Sequence, residues 1–173
     1  MTLVPGDPAS LSACAAVAHS VADQLAGRAT GVRTASGLLA EGWTGRTSAA
    51  TRRRAAHLAV ATDACAAQLD TLGRVLQDHA TDLADLVARA RTVEERARAA
   101  GLDVRDGRVE VGWGVSGTAD AQHDRARHEA RDALQAELDL VLSQHRRRRD
   151  WVLGVLHDST TALSDLSHRL RGG

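Results

Sequence analysis

The feature that most constrains this chain is a long run of apolar positions that alternate at spacings of three and four. Such a run is spaced like the seam of a coiled coil, where two positions of every heptad face a neighbouring helix. It predicts a helix of about 50 residues, roughly 75–80 Å long, with a polar histidine layer inside the seam and Gly101 as its C-terminal cap. The seam positions are Leu58, Thr62, Cys65, Leu69, Leu72, Leu76, His79, Leu83, Leu86, Ala90, Val93 and Ala97.

A second helix is predicted before this one. In "PGDPASL", Asp7 suits the capping position and Pro8 suits the first helical position, where no N–H is needed. An apolar stripe then extends to about Glu41, where "GWTG" interrupts the pattern. The stripe positions are Leu11, Cys14, Ala18, Val21, Leu25, Val32 and Leu39.

The segment "LDVRDGRVEV" changes the apolar period from helical to two. Val104 and Val109 flank the pair Asp106-Gly107, a strong signal for a two-residue turn. The segment predicts a small β-hairpin over about 102–111. "GWGVSG" follows as a loop, and a third long helix is predicted from near Thr118 to the glycines at the end of the chain.

These elements predict an all-α fold in one structural domain: an elongated antiparallel helical hairpin, a third long helix and a small β-hairpin at the distal tip. The expected segments are 1–100, 101–117 and 118–173. Since the first helix is shorter than the other two, part of the Leu/Val seam should stay uncovered and dock a partner. The residues assigned to this partner seam are Leu69, Leu72, Leu76, His79, Leu83 and Leu86.

Composition argues against several function classes. The 22 basic and 22 acidic residues cancel, so no global field favours nucleic acid. No apolar run approaches the roughly 18 residues of a membrane span. The N-terminus lacks the features of a general secretory signal. With neither Phe nor Tyr, the chain has little to shape an aromatic pocket. We therefore expect no enzyme activity and no cofactor.

The segment "LVPGDPASL", followed about 30 residues later by "EGWTGRTSAA", carries a family resemblance. Two helices joined at W-T-G resemble the WXG superfamily, and the two segments together resemble the secretion-signal domain of actinobacterial type VII effectors. The likeness covers about residues 3–100. It implies that Gly42, Trp43 and Gly45 form a recognition turn. It also implies that Gly6, Asp7 and Pro8 form a helix-start motif.

The resemblance implies a non-enzymatic protein that targets an effector to a type VII secretion system. The chain has no Tyr, so the superfamily's Y-x-x-x-D/E element is absent. In that superfamily one member of a pair commonly supplies this signal, which favours a partner or carrier. The expected partner is a WXG-type protein, an effector or a second copy, and the expected architecture is a four-helix bundle. The expected location is the cytoplasm before export and the medium after it.

Arginine clusters offer an alternative function. Residues 52–54 are three consecutive arginines, and Arg146 to Arg149 precede Trp151. A cytoplasmic helical module could bind nucleic acid or another anionic surface through such clusters. Consecutive residues fan around a helix, however, so neither cluster forms a one-sided stripe.

Three other patterns favour ordinary structural roles. Gly112, Gly114 and Gly117 match G-x-G-x-x-G, but no second parallel strand follows, which favours a loop over a dinucleotide site. The series Asp124, His128 and Asp132 is interleaved with arginines, which favours surface ion pairs over metal ligation. Cys14 and Cys65 should be buried free thiols, since a turn near Trp43 would place them roughly 10 Å apart along the helices.

Overall fold

The computed structural model describes residues 3–111 and 121–172, of which 87% are helical. The elements are α1 (Pro8–Gly42), α2 (Arg46–Ala99), β1 (Leu102–Arg105), β2 (Arg108–Val111) and α3 (Ala121–Gly172). The mostly-α class is therefore confirmed. Residues 112–120, which include the predicted Gly-rich loop and the predicted helix start at Thr118, lie outside the described part.

The expected four-helix bundle is wrong for the described residues, which form three helices. The physical reason is that α2 and α3 continue unbroken for 54 and 52 residues. Gly154 lies inside α3 without ending it, because a single glycine weakens a helix but does not break it.

The predicted β-hairpin is confirmed as a two-stranded antiparallel sheet with Val104 opposite Val109. Asp106 and Gly107 form the turn with φ values of 50° and 76°. Positive φ at both positions is what a two-residue type I′ turn requires. Gly101, at φ 70°, follows the end of α2, so it takes the left-handed conformation expected of a residue that terminates a helix.

The chain divides into two compact units, and both long helices contribute residues to each. The first unit contains residues 1–8 and 79–151, and the second contains residues 9–78 and 152–173. The division at residues 100 and 117 that the sequence predicts remains a prediction.

The core of the first unit joins the end of α2, the β-hairpin and the first half of α3. Its buried members are Val93, Ala97, Leu102, Val109, Leu134 and Leu138, with Leu3 and Leu142 packed against them. Polar contacts fix α3 to the hairpin: the Gln135 side chain accepts from the backbone N–H of Val109 at 2.7 Å and donates to the carbonyl of Gly107 at 3.1 Å. Apolar packing and two hydrogen bonds with Gln135 thus both hold the hairpin against α3.

The core of the second unit is built largely from small residues. Ala15, Ala22 and Ala29 are the buried residues of α1, and they recur every seven positions. Together with the partly buried Leu11, Ala18, Leu25 and Val32, they form a 3/4 seam. Ala15, Leu76 and Val152 bring α1, α2 and α3 into one cluster.

The predicted stripe of α1 is therefore only half correct. Cys14 is exposed, and Val21 and Leu39 are 38% and 53% exposed. Alanines one residue away take the buried positions, because their short side chains let helices approach closely. Both cysteines are free, as predicted, but neither is buried.

Side-chain contacts show that α1 and α2 run antiparallel in this unit. Ser12 Oγ donates to Gln77 Oε1 at 2.7 Å, and His19 Nδ1 lies 3.1 Å from Asp70 Oδ1. Arg33 pairs with Asp63 nearer the α1–α2 junction. Residue numbers rise along α1 as they fall along α2.

Candidate interaction site at the first helix junction

Residues 43–45 separate α1 from α2 and match the W-x-G motif. The N–H of Trp43 still donates to the carbonyl of Leu39 at 3.1 Å, and the carbonyl of Gly45 accepts the first α2 bond from Ala49 at 3.0 Å. Only residues 43–45 thus lie between the two helices. Gly45 has a φ of 112°, a region that residues with a side chain rarely enter. Gly42 is the last residue of α1 and has no positive φ. Of the two glycines that the sequence assigns to the turn, only Gly45 is required by the backbone.

A buried serine ties the two sides of the junction together. Ser48, in the first turn of α2, is fully buried and donates from Oγ to the carbonyl of Trp43 at 2.5 Å. That carbonyl lies just past the end of α1, where backbone acceptors lack a helical partner. Because an unsatisfied buried carbonyl is costly, Ser48 stabilises this connection. No motif in the sequence pointed to this residue.

The Trp43 side chain does not fill a buried position at the junction. It is 39% exposed. Leu38 and Leu39, in the last turn of α1, are 66% and 53% exposed. The buried residues of α1 are alanines, so the large side chain of Trp43 is not among its core positions. Large apolar side chains therefore cluster in sequence at this junction and remain in solvent.

The helix-start motif lies in the first unit. Pro8 begins α1, as predicted. Gly6 has a φ of 122°, and a Cβ at this position would lie 2.9 Å from Cδ2 of Leu83. Val4, two residues earlier, is 2% exposed. The N-terminal segment therefore packs against α2.

The predicted partner seam is covered by the chain itself. Leu76, His79, Leu83 and Leu86 are buried, with exposed fractions of at most 8%, and Leu69 and Leu72 are partly buried. Leu76 packs with Ala15 and Val152 in the second unit, and Leu83 lies against Gly6 in the first. The expectation of an uncovered seam is wrong, because α1 and α3 cover Leu76 and the N-terminal segment covers Leu83.

The buried seam histidine belongs to a charged cluster that the sequence did not predict. His79 and His145 are 7% and 5% exposed, and Nδ1 of His79 has no hydrogen-bond partner among the described residues. Burial lowers the pKa of His79, and the charges of Arg148 and His145 lower it further, against a raising effect of Asp82. The four residues come from α2 and α3, so only the fold brings them together.

The arginine cluster of α3 is partly neutralised. Arg148 Nε lies 2.8 Å from Asp82 Oδ2, although not in hydrogen-bond geometry, and its guanidinium lies 4.5 Å from the ring centroid of Trp151. Arg149 pairs with Asp150 at 2.7 Å. Two of the four consecutive arginines are thus engaged within the chain, which weakens the cluster as an anion site.

The residues considered for metal ligation make ordinary local contacts. His128 Nδ1 donates to the carbonyl of Asp124 at 2.7 Å, and Asp132 pairs with Arg131. Among the described residues, no three His, Cys, Asp or Glu side chains are grouped so that they could hold a metal ion. Within the same part of the chain, no helix combines the length and apolarity needed to cross a bilayer.

Comparisons with protein-family models, with curated proteins and with solved structures find no match to this chain.

Proposed function

We propose that this chain is a non-enzymatic helical interaction protein of a type VII secretion pathway, a WXG-like targeting partner or carrier of an effector. One observation carries the proposal. The glycine of the W-T-G triplet is the junction residue with a φ of 112°, and it lies between two helices that run antiparallel. The resemblance depends on this motif, and the positive φ of Gly45 is a physical reason for glycine at its last position.

The exposed Trp43 supports a recognition role for the junction. Tryptophans are enriched among the residues that dominate binding energy at protein interfaces. Trp43 is 39% exposed, and Leu38 and Leu39, five and four residues earlier in the chain, are exposed as well. Exposed large apolar side chains of this kind mark a surface that a partner covers. The proposed helical hairpin would present this surface at its closed end.

The burial of the seam changes how a partner would dock. The side chains from Leu76 to Leu86 are not available without opening the fold. A partner would instead contact the junction, where large apolar side chains already lie in solvent. The proposed location is the cytoplasm before export.

The test is co-expression with the effector encoded by a neighbouring gene, followed by affinity measurement on the purified chain. Trp43→Ala should weaken binding roughly 30-fold or more, the effect expected of an interface residue worth about 2 kcal/mol. Trp151→Ala is the matched control, because Trp151 is 49% exposed and lies in the other unit. It should bind as the wild type does.

Thermal unfolding of both variants shows whether they keep the fold. If Trp43→Ala folds normally and binds the effector with wild-type affinity, the junction is not the recognition site. If the wild type itself does not bind the effector, the carrier role is wrong.

A further inference from the structure

A groove in the second unit lies beside the junction in sequence but has its own chemistry. It has a volume of about 730 Å³ and is formed by the first turns of α2 and the end of α3. We call it the basic-apolar groove. Its principal lining residues are Arg53, Arg54, His57, Leu58, Arg169 and Leu170.

The arginines of this groove have no acidic partner in the described chain. Elsewhere arginines pair with carboxylates, as Arg33 does with Asp63 and Arg74 does with Asp70. Arg53, Arg54 and Arg169 form none of the ion pairs found among the described residues. Residues 46–58 contain four arginines and no carboxylate. In a chain of zero net charge, this is a strong local excess of positive charge.

The groove also contains exposed aliphatic side chains. Leu58 and Leu170, which come from α2 and α3, are 46% and 43% exposed. Leu58 is the one leucine of the predicted α2 seam that is left in solvent. Apolar contacts are therefore available between cationic side chains on both helices.

We propose that the basic-apolar groove binds an acidic amphipathic helical segment of a partner protein. An apolar stripe on such a helix would cover Leu58 and Leu170, as in other helix-in-groove complexes. Glutamates or aspartates beside the stripe would pair with Arg53, Arg54 and Arg169, because guanidinium groups bind carboxylates in a bidentate manner.

Nucleic acid and anionic membranes match the combination of arginines and exposed leucines less well. Nucleic acid bound through phosphates would gain nothing from two exposed leucines. An anionic membrane would require apolar side chains that project beyond the surface, whereas these line a groove. The inference does not depend on the export role, since it follows from charge and apolar exposure alone.

The probe is a synthetic 16-residue helical peptide with leucines at i, i+3, i+4 and i+7 spacing and glutamates on both flanks. We expect saturable binding to the full chain, with an affinity that falls as salt concentration rises. The variant Arg53→Glu/Arg54→Glu should lose at least tenfold in affinity. It should gain affinity for the same peptide with lysine in place of glutamate, since the charges are then complementary again.

Leu58→Ser should also lower affinity, but with little change in its dependence on salt. Two controls keep the test specific. Arg28→Glu reverses an exposed arginine on α1, and Val60→Ser removes an aliphatic side chain that is 68% exposed on α2 outside the groove. Both should bind the peptide as the wild type does.

Three outcomes would overturn the proposal. The first is a wild-type dissociation constant weaker than about 1 mM for the acidic peptide. The second is an equal loss of affinity in Arg28→Glu and in the groove variant, which would indicate a nonspecific charge effect. The third is tighter binding to duplex DNA or to phosphatidylglycerol vesicles than to the peptide, which would assign the groove to a different class of ligand.

Discussion

Leu83 packs so closely on Gly6 that a methyl group at residue 6 would lie 2.9 Å from its Cδ2 atom. One residue belongs to the predicted helix-start motif and the other to the predicted partner seam. Leu83 is 1% exposed and Val4 is 2% exposed, so the contact is part of a buried interface. The N-terminal segment is therefore one of the elements that cover the seam.

Gly6→Ala should destabilise the chain by about 1–3 kcal/mol. The positive φ of residue 6 disfavours a side chain, and the buried Leu83 leaves little room for one. Urea unfolding followed by circular dichroism measures the change. Gly154→Ala is the control: Gly154 lies in α3, and no atom of the described chain comes within 4 Å of its Cβ position, so the change should raise stability by about 0.5–1 kcal/mol. Equal stability of Gly6→Ala and wild type would refute the packing.

Leu76→Asp should destabilise the isolated chain, without any partner present, by several kcal/mol. Leu76 is 8% exposed among Ala15 and Val152, so the carboxylate would be buried without a counter-charge. Val60→Asp, on the same helix at 68% exposure, should change stability by no more than about 0.5 kcal/mol. Thermal melts of the two variants compare them directly. A folded Leu76→Asp variant with a wild-type melting temperature would show that the seam is not buried in the isolated chain.

Stability should fall as the pH drops below about 6.5, in part because of His79. Its pKa is lowered in the folded chain from the usual value of 6.5, so the unfolded state takes up the proton first. The contribution of His79 to the free energy of unfolding is thus constant above about pH 6.5. It becomes steadily less favourable as the pH falls from 6.5 to the lowered pKa. Urea titrations across this range should show a weaker pH dependence in His79→Gln than in the wild type.

The control for that titration is His168→Gln, which replaces an exposed histidine near the end of α3. It should keep the wild-type pH dependence. An identical pH dependence in His79→Gln and the wild type would show that the buried imidazole does not govern this loss.

Gly73 and His19 should be energetically coupled across α1 and α2. A Cβ at residue 73 would lie 2.8 Å from Nε2 of His19, whose other ring nitrogen contacts Asp70. Gly73→Ala alone therefore gains helix propensity but displaces the ring. In a His19→Ala background only the gain remains. A double-mutant cycle should give a coupling energy of at least about 0.5 kcal/mol, and a value near zero would mean that these helix faces do not meet.

The sequence predicted elements more reliably than it predicted which side chains are covered. Local signals fix the β-hairpin, because Asp106-Gly107 alone determines its turn, and they fix the start of α1 at Pro8. The buried register of α1 was missed, since an alanine-rich helix offers several stripes of similar hydrophobicity. Ala15 is buried because Leu76 of α2 and Val152 of α3 pack against it, a contact that the sequence of α1 alone does not specify.

Burial of the partner seam depends on contacts between residues that are far apart in the sequence. The spacing of apolar residues along one helix therefore could not predict it. Gly6 and Leu83 are 77 residues apart in the chain, and no period links them. The same holds for the groove, where Arg53 and Arg169 lie 116 residues apart in the chain. The W-x-G motif was visible at once, but the exposure of Trp43 and the buried hydroxyl of Ser48 depend on the packed helices.

The most direct test of the proposed function is the amount of the cognate effector in the culture medium after deletion of the gene for this chain. Complementation with the wild type or with Trp151→Ala should restore export, whereas complementation with Trp43→Ala should leave the effector in the cells. A strain without the type VII secretion system should match the deletion strain. Undiminished effector in the medium of the deletion strain would contradict the account.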